Sequence, residues 1–418
     1  MNTNTERQHI VVLGAGIVGL ASAWELSQHG YQVTIIDKGT SGDATSRANG
    51  AQLSYSYVQP LADASIWRQL PKLLLSSDSP LKLRIQADPA QWGWGLKFLA
   101  ACRDDVSRQT TAELLTLAAL SRSAFDAMLA ETKIDCDFSA TGKLVLYSSA
   151  ESFAAAQRQV DLQKTMGSVQ RAVSAQEIVG IEPALTQYVD EVTGGIYTPS
   201  ECAADCFKVC VGLETALRAR GVTFLLETQV QSLVQQQGQL RAAATTVGNV
   251  EGDAFILAMA SGSVPLAKTL GLHLPVYPLK GYSVTVQASS AADAAPMVSV
   301  TDAARKIVFA RLGERLRIAG MAELVGHDMS IPEPRILELL RAGRAVFPKA
   351  SDYLPMDRWS GLRPATPTGL PILGALPGGP GNLLMNTGHG ALGFTLAFGT
   401  ARILRESLAN AGHTRRAH

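Results

Sequence analysis

The sequence predicts an α/β protein of two domains. The first is interrupted in sequence and built on a parallel sheet; the second is α+β with a mixed, largely antiparallel sheet. Three observations carry that prediction. A strand–glycine turn–helix–strand unit occupies residues 9–37, a second glycine turn enters the last helix at residue 388, and alternating strands cluster between residues 277 and 321. A chain of 418 residues is also too long for one ordinary core.

The first unit is the best defined. His9–Leu13 is a short apolar run that reads as a buried parallel strand. Gly14-Ala15-Gly16-Ile17-Val18-Gly19 follows at once, Leu20–Gln28 reads as a helix ended near Gly30, and Tyr31–Ile36 reads as a strand that leads to Asp37. Strand, glycine turn, helix and acid in this order form the dinucleotide-binding fingerprint of a Rossmann-type domain. Gly14 permits the tight turn, Gly16 lets the backbone approach a pyrophosphate, and Gly19 lets the helix pack close on the strand. The helix N-terminus offers N–H groups and a positive dipole end to the phosphates. Asp37 suits the ribose hydroxyls and disfavours a 2′-phosphate.

Composition narrows the class. The net charge of +1 gives no electrostatic reason to expect nucleic acid as a partner. Hydrophobic residues make up 46% and charged residues 17%, which suits a packed globular chain. The polar leader Met1–Gln8 has no apolar core, so no secretory signal is expected. No stretch approaches about 18 uninterrupted apolar residues, so no spanning helix is expected. Five cysteines, odd in number and sparse, suggest reduced thiols in a cytoplasmic setting. Cys202, Cys206 and Cys210 recur every four residues and read as one helix face in a core; no metal is expected.

Taken in order, the stretch from Gly39 to Gln52 is small and polar and reads as a loop on the cofactor side of the sheet. Residues 66–100 interleave Trp67, Leu70, Leu73–Leu75, Trp92, Trp94 and Leu96 with Arg68, Lys72, Lys82, Arg84 and Lys97. That pattern suits either a membrane-interface surface or a packed helical hairpin. Helices are predicted over 112–131 and 151–166, with a strand at 142–147 between them. Ser174 and Glu177 have capping-box spacing. Phe207–Arg220 reads as a helix, Val222–Leu226 as a strand, and Gln229–Val234 with Leu240–Val247 as a hairpin. Ala254–Ala258, closed by Ser261-Gly262-Ser263, returns to the first sheet.

Tyr277–Gln287, Lys306–Leu312 and Arg315–Met321 form the second sheet, with Ile307, Phe309 and Arg311 on one face. Arg311 there requires an internal carboxylate or an anionic substrate. Trp359–Pro367 reads as a rigid loop, Asn382–Asn386 as a strand, and Thr387–Gly393 as a glycine turn whose helix N-terminus faces a bound anion or ring.

At this point the residues resemble a known family. Gly14–Trp24, Thr45-Ser46-Arg47-Ala48-Asn49, Tyr277–Ser283, Gly320-Met321-Ala322-Glu323, Gly361-Leu362-Arg363-Pro364 and Asn386–Gly390 are similar, in order, to the FAD-dependent D-amino-acid oxidoreductases. Within these the chain looks most like the bacterial D-amino acid dehydrogenases. Gly50-Ala51-Gln52 departs from the pattern, with its small residues in reverse order.

The resemblance implies FAD as cofactor. It implies a discontinuous FAD-binding domain over 1–84, 202–273 and 353–418, and a substrate domain over 85–201 and 274–352. It implies contacts to FAD from Gly14, Ala15, Gly16, Ile17, Val18, Gly19, Asp37, Lys38, Ser46, Asn49, Gln52 and Leu53. Val230, Gly262, Gly361, Gly388, His389, Gly390, Leu392 and Gly393 complete that set.

Arg363 is implied to grip the substrate carboxylate by a two-pronged hydrogen bond. Tyr55, Tyr282, Arg311 and His389 are further candidates around the substrate or the ring. The implied reaction is oxidative deamination of a D-amino acid to a 2-oxo acid and ammonia, with hydride passing from Cα to flavin N5. Electrons would pass to a quinone or an artificial acceptor, with peripheral membrane contact through 66–100. The alternatives are an oxidase of the same fold acting on glycine or sarcosine, a D-hydroxyproline dehydrogenase, a plain NAD-dependent dehydrogenase, and a flavin-binding protein without turnover.

Overall fold

The computed structural model describes residues 7–58, 60–64, 66–67, 81–84, 86–165 and 167–416. Leu70, Lys72 and Leu73–Leu75 of the basic and apolar stretch lie outside the described residues.

The first sheet has six strands, in the order Ile372–Gly374, Leu383–Thr387, Ala254–Leu257, His9–Leu13, Gln32–Ile36 and Thr223–Leu225. All pairs are parallel except the first, which is antiparallel. Ile10 pairs with Ala254, so strands remote in sequence lie side by side and the first domain is interrupted. Ile10, Val11, Val12 and Leu13 are all fully buried, because both sheet faces are covered. Helices Ile17–Gln28, Asp104–Thr132, Cys206–Ala219 and Gly393–Arg416 cover one face through Leu20, Leu114, Leu213 and Leu404. An antiparallel sheet of Val230–Gln236, Gln239–Thr245 and Gly248–Glu251, with the helix Ser263–Thr269, covers the other.

The second sheet has nine strands. Its path is Pro355–Ala365, Tyr277–Gln287, Arg315–Leu324, Ile307–Leu312, Ser299–Asp302, Lys143–Tyr147, Gly194–Thr198 and Arg171–Val173, and Leu81–Leu83 pairs with Arg315–Leu324 off that path. Most pairs are antiparallel; Ser299–Asp302 with Lys143–Tyr147, and Leu81–Leu83 with its neighbour, are parallel. Residues 359–365, expected as a loop, form part of the edge strand. Two prolines and a glycine hide it in the sequence. An edge strand tolerates Pro364, whose missing N–H removes no central ladder bond.

The two faces of this sheet differ. The outer face carries Tyr282, Val284, Phe309 and Ile318 against the helix Glu333–Val346, with the Phe309 and Phe347 rings 5.2 Å apart. The inner face meets residues 48–51 of the first domain. Ser283 Oγ donates to the Ala48 carbonyl at 2.7 Å, Arg317 Nη1 donates to the Asn49 carbonyl at 3.1 Å, and Val308 lies under Gly50.

Several expected boundaries move. Leu81–Leu83 and Pro355–Ala365 belong to the second sheet, whereas Asp104–Thr132 packs into the core of the first domain. The domain limits expected at residues 84 and 353 shift accordingly. Cys202 is not on the helix: Cys202–Ala203 pairs with Gln52–Leu53 as a short ribbon, and the helix begins at Cys206. All five cysteines are free and buried. Ser174 and Glu177 form the predicted capping box, each side chain bonded to the other's backbone N–H. No helix among the described residues is long and apolar enough to cross a membrane.

Candidate functional site

The carboxyl ends of the parallel strands point at the inner face of the second sheet, the place where open α/β sheets hold ligands. The fingerprint takes the form its residues require. Gly14 has φ +115°, and a Cβ there would lie 2.5 Å from the Ala258 carbonyl oxygen. A Cβ on Gly19 would lie 1.8 Å from the Gly14 oxygen, so helix and strand meet backbone to backbone. Gly16 caps the helix without a side chain, and Ser46 Oγ accepts from Ile17 N at 3.1 Å. Ala15 and Val18 belong to the same turn and first helical turn.

Asp37 accepts from Ala15 N at 2.7 Å and from Gly39 N at 2.8 Å, which fixes its carboxylate beside the turn. Lys38 next to it is exposed. The chain crosses Asp37 again through Thr228 N, which donates to the Asp37 carbonyl at 2.8 Å and brings Val230 to this end of the sheet. Gly262 follows Ala254–Leu257, whose last strand residue lies next to the Ala258 that Gly14 touches.

Asn49 Oδ1 accepts from Ala51 N at 2.9 Å and shapes the loop that carries Gln52. Ala51 has φ +59°, the left-handed region that glycine adopts freely. The reversed order of Gly50 and Ala51 therefore puts the strained conformation on the alanine. Leu53 is buried in the first core. Gln52 Nε2, Ser41 Oγ and Ser261 Oγ are buried without a partner among the described residues. Unpaired buried polar groups are costly, and these lie where a dinucleotide would run. The donor set and the glycine cradle fit FAD.

The second glycine turn completes this side. Gly388 has φ +82° and packs on Thr366; Gly390–Leu392 forms one tight turn and Gly393 opens the last helix. His389 does not face the cleft. Its ring is buried, Nε2 lies 3.2 Å from Thr400 Oγ1, and burial pushes its pKa down to about 3. It holds the turn to the helix as a neutral ring.

Arg363 does face the inner side. It pairs with Leu279 in register, and its guanidinium lies across Gly281. Nη1 donates to the Met321 carbonyl at 2.8 Å, and no carboxylate pairs with it among the described residues. Burial alone lowers its pKa to about 10. Met321, which accepts that bond, has φ +65°, a strained conformation for a residue with a side chain. Gly281 pairs with Gly361, and the Trp359 ring lies over Gly361, so arginine and indole share a floor of two glycines. An unpaired, dry guanidinium over a flat floor can hold a carboxylate by two parallel bonds.

The other candidates separate. Tyr282 points to the outer face, where its hydroxyl donates to Glu323 Oε2 at 2.7 Å; burial, then that bond, push its pKa up. Alternation along the strand puts it opposite Gly281 and Ser283, so it is not a lid. Arg311 shares the outer face with Ile307 and Phe309, and bonds to the Gly313 carbonyl at 3.1 Å and to Met297. Neither reaches the floor beside Arg363. Tyr55 is buried with its hydroxyl unpartnered, next to Arg122 and beyond Gln52. Arg317 and Trp359 carry no motif of their own in the sequence, and Gly281 figures only as part of the Tyr277–Ser283 stretch. Only the pairing of residues 277–287 with 355–365 on one side and 315–324 on the other places them.

Pro89–Ala101 forms a helix hung on the edge strand: Trp94 Nε1 donates to the Ala365 carbonyl at 2.8 Å and Tyr277 Oη donates to Asp88 at 3.0 Å. Its other side leaves Trp92 and Leu96 53% and 69% exposed, and Trp67, bonded to the Cys102 carbonyl at its end, is 52% exposed.

Comparison with known proteins shows the family to which the chain belongs. The family model described as FAD dependent oxidoreductase matches residues 9–407. The chain is 43% identical over 413 residues to D-amino acid dehydrogenase 2 of Ralstonia nicotianae, covering 96% of each chain. It is 43% identical over 404 residues to the Pseudomonas aeruginosa protein of the same name, covering 96% of this chain and 95% of that one. Among solved structures, glycine oxidase from Geobacillus kaustophilus superposes with a TM-score of 0.75 at 22% identity, covering 97% of this chain and 95% of that one. That likeness bears on the fold.

Proposed function

From the premise that the chain belongs to the FAD dependent oxidoreductase family, we propose that it is a D-amino acid dehydrogenase. It oxidises the α-carbon of a D-amino acid, and the imine product hydrolyses to a 2-oxo acid and ammonia. The observation that carries the substrate class is Arg363: a buried guanidinium with one backbone partner and no acid, above a glycine floor.

FAD, when bound, supplies the two-electron acceptor. The first glycine turn and Asp37 would hold its adenosine end, residues 46–53 would line its ring, and the Gly388–Gly393 turn would offer it a helix N-terminus. Arg363 fixes the carboxylate and with it the position of the α-carbon. Tyr55 supports the far side of the same loop. Tyr282, Arg311 and His389 act on the fold and not on the substrate.

Electrons then leave for a quinone or an artificial acceptor. The exposed Trp67, Trp92 and Leu96, with Arg84 and Lys97 close by in sequence, favour a cytoplasmic protein resting peripherally on the inner membrane.

The test is colour. The purified holoprotein is mixed anaerobically with D-alanine, L-alanine and D-proline in turn. D-alanine is expected to bleach the yellow absorbance and L-alanine to leave it. Equal bleaching by L-alanine ends the stereochemical reading, and stoichiometric peroxide in air makes the protein an oxidase.

A further inference from the structure

Ile307 pairs with Gly320, which makes Lys306 and Met321 neighbours on adjacent strands. Both residues adopt left-handed conformations, with φ +56° and +65°. A Cβ on Gly320 would lie 2.9 Å from the Lys306 oxygen, so the two backbones are in tight contact. Met321 is the residue whose carbonyl holds Arg363. Strained non-glycine backbone concentrates at ligand sites, and here two such residues stand side by side next to the guanidinium.

Lys306 is accessible, yet its side chain has no hydrogen bond or ion pair among the described residues. Partial loss of water around it nevertheless lowers its pKa. The acids nearby are already engaged. Asp302 accepts from Arg305 and from the Tyr188 hydroxyl, and Glu323 pairs with Tyr282 and Arg335. Thr301 pairs with Val308, the residue beneath Gly50, and so lies on the inner face; its hydroxyl is buried and unpartnered. An ammonium therefore waits, unpaired, beside the strand that carries Met321, and an unpartnered hydroxyl lies one strand further on.

We infer that Lys306, with Thr301, forms a side-chain subsite that selects D-amino acids ending in a carboxylate. Adjacent strands lie about 4.8 Å apart, and a lysine arm extends about as far again, so two cations here match the two ends of a dicarboxylic acid. The α-carboxylate goes to Arg363 and the distal carboxylate to Lys306. The inference rests on the D-amino acid reading above.

The test compares D-glutamate with D-glutamine, which is nearly the same size and lacks the charge. Steady-state kcat/KM for both is measured on the holoenzyme, on Lys306→Met and on Lys306→Arg, with flavin absorbance as the check on folding. The wild type is expected to favour D-glutamate. Lys306→Met is expected to lower the D-glutamate to D-glutamine ratio about tenfold or more, and Lys306→Arg to keep most of it. An unchanged ratio in Lys306→Met overturns the inference. So does a wild type that uses D-glutamine as readily as D-glutamate, which needs no variant. Failure of every D-amino acid to bleach the flavin instead removes the reading on which the inference rests.

Discussion

The guanidinium of Arg363 crosses the α-carbon of Gly281 so closely that a methyl group there would lie 2.3 Å from Nη2 and 2.6 Å from Cζ. Arginine and glycine are one unit, although 82 residues separate them in the chain.

Gly281→Ala follows from that contact. The obstructed atoms are the far end of a flexible side chain, so the protein should fold and keep its flavin. The arginine, however, must move. A displaced anchor is expected to raise KM and to cost about tenfold to a hundredfold in kcat/KM for D-alanine. Kinetics equal to wild type would show that Arg363 does not act from this position.

Arg363→Ala removes the anchor itself. Loss of one partner of a desolvated charge pair costs on the order of 2–5 kcal/mol, so kcat/KM should fall at least about tenfold, mostly through KM. Arg363→Lys should recover only part, because an ammonium lacks the planar fork. Anaerobic stopped-flow reduction of the bound flavin measures both.

His389 gives a pH dependence of stability. Its folded pKa of about 3 lies below the ordinary value near 6.5, so across that window the unfolded chain binds a proton that the folded chain refuses. Stability is present above about pH 6.5 and is lost as pH falls toward about 3. Wild type should lose more melting temperature than His389→Gln between about pH 7 and about pH 4.5. Parallel losses would mean that other groups dominate acid unfolding.

The exposed helix gives a separate outcome. Trp92→Ser with Leu96→Ser should reduce co-sedimentation with anionic lipid vesicles while leaving flavin content intact, since both side chains are more than half exposed and the only bond lost among the described residues is that from the Trp92 indole to the Gln86 carbonyl. Undiminished vesicle binding would move the membrane contact elsewhere.

Much of the first domain was readable in the chain because each part obeys a local rule. Gly14, Gly19 and Asp37 sit where backbone crowding and hydrogen bonding demand them, and Ser174 with Glu177 form the cap that their spacing predicts. The second sheet was harder. Pro364 and Gly361 conceal a strand whose existence depends on partners 86 and 80 residues earlier, Pro278 and Gly281. The roles of Tyr282 and Arg311 turned on which face of the sheet they occupy, and a single strand pattern does not say which face meets the cofactor. Arg317 was invisible because its partners, Thr285 and Asn49, are far away in sequence.

The interleaving of the six-stranded sheet has a consequence for biogenesis. His9–Leu13 waits for Ala254–Leu257 as its neighbour, and that strand in turn waits for Leu383–Thr387. A nascent chain emerging from the ribosome therefore lacks a finished cofactor cradle until residues 383–387 are made, and domains that complete late expose unpaired edges meanwhile. Loading of the yellow group waits for those residues, so a truncation that removes the strand Leu383–Thr387 and the helix Gly393–Arg416 should abolish it as surely as one that removes the first glycine turn.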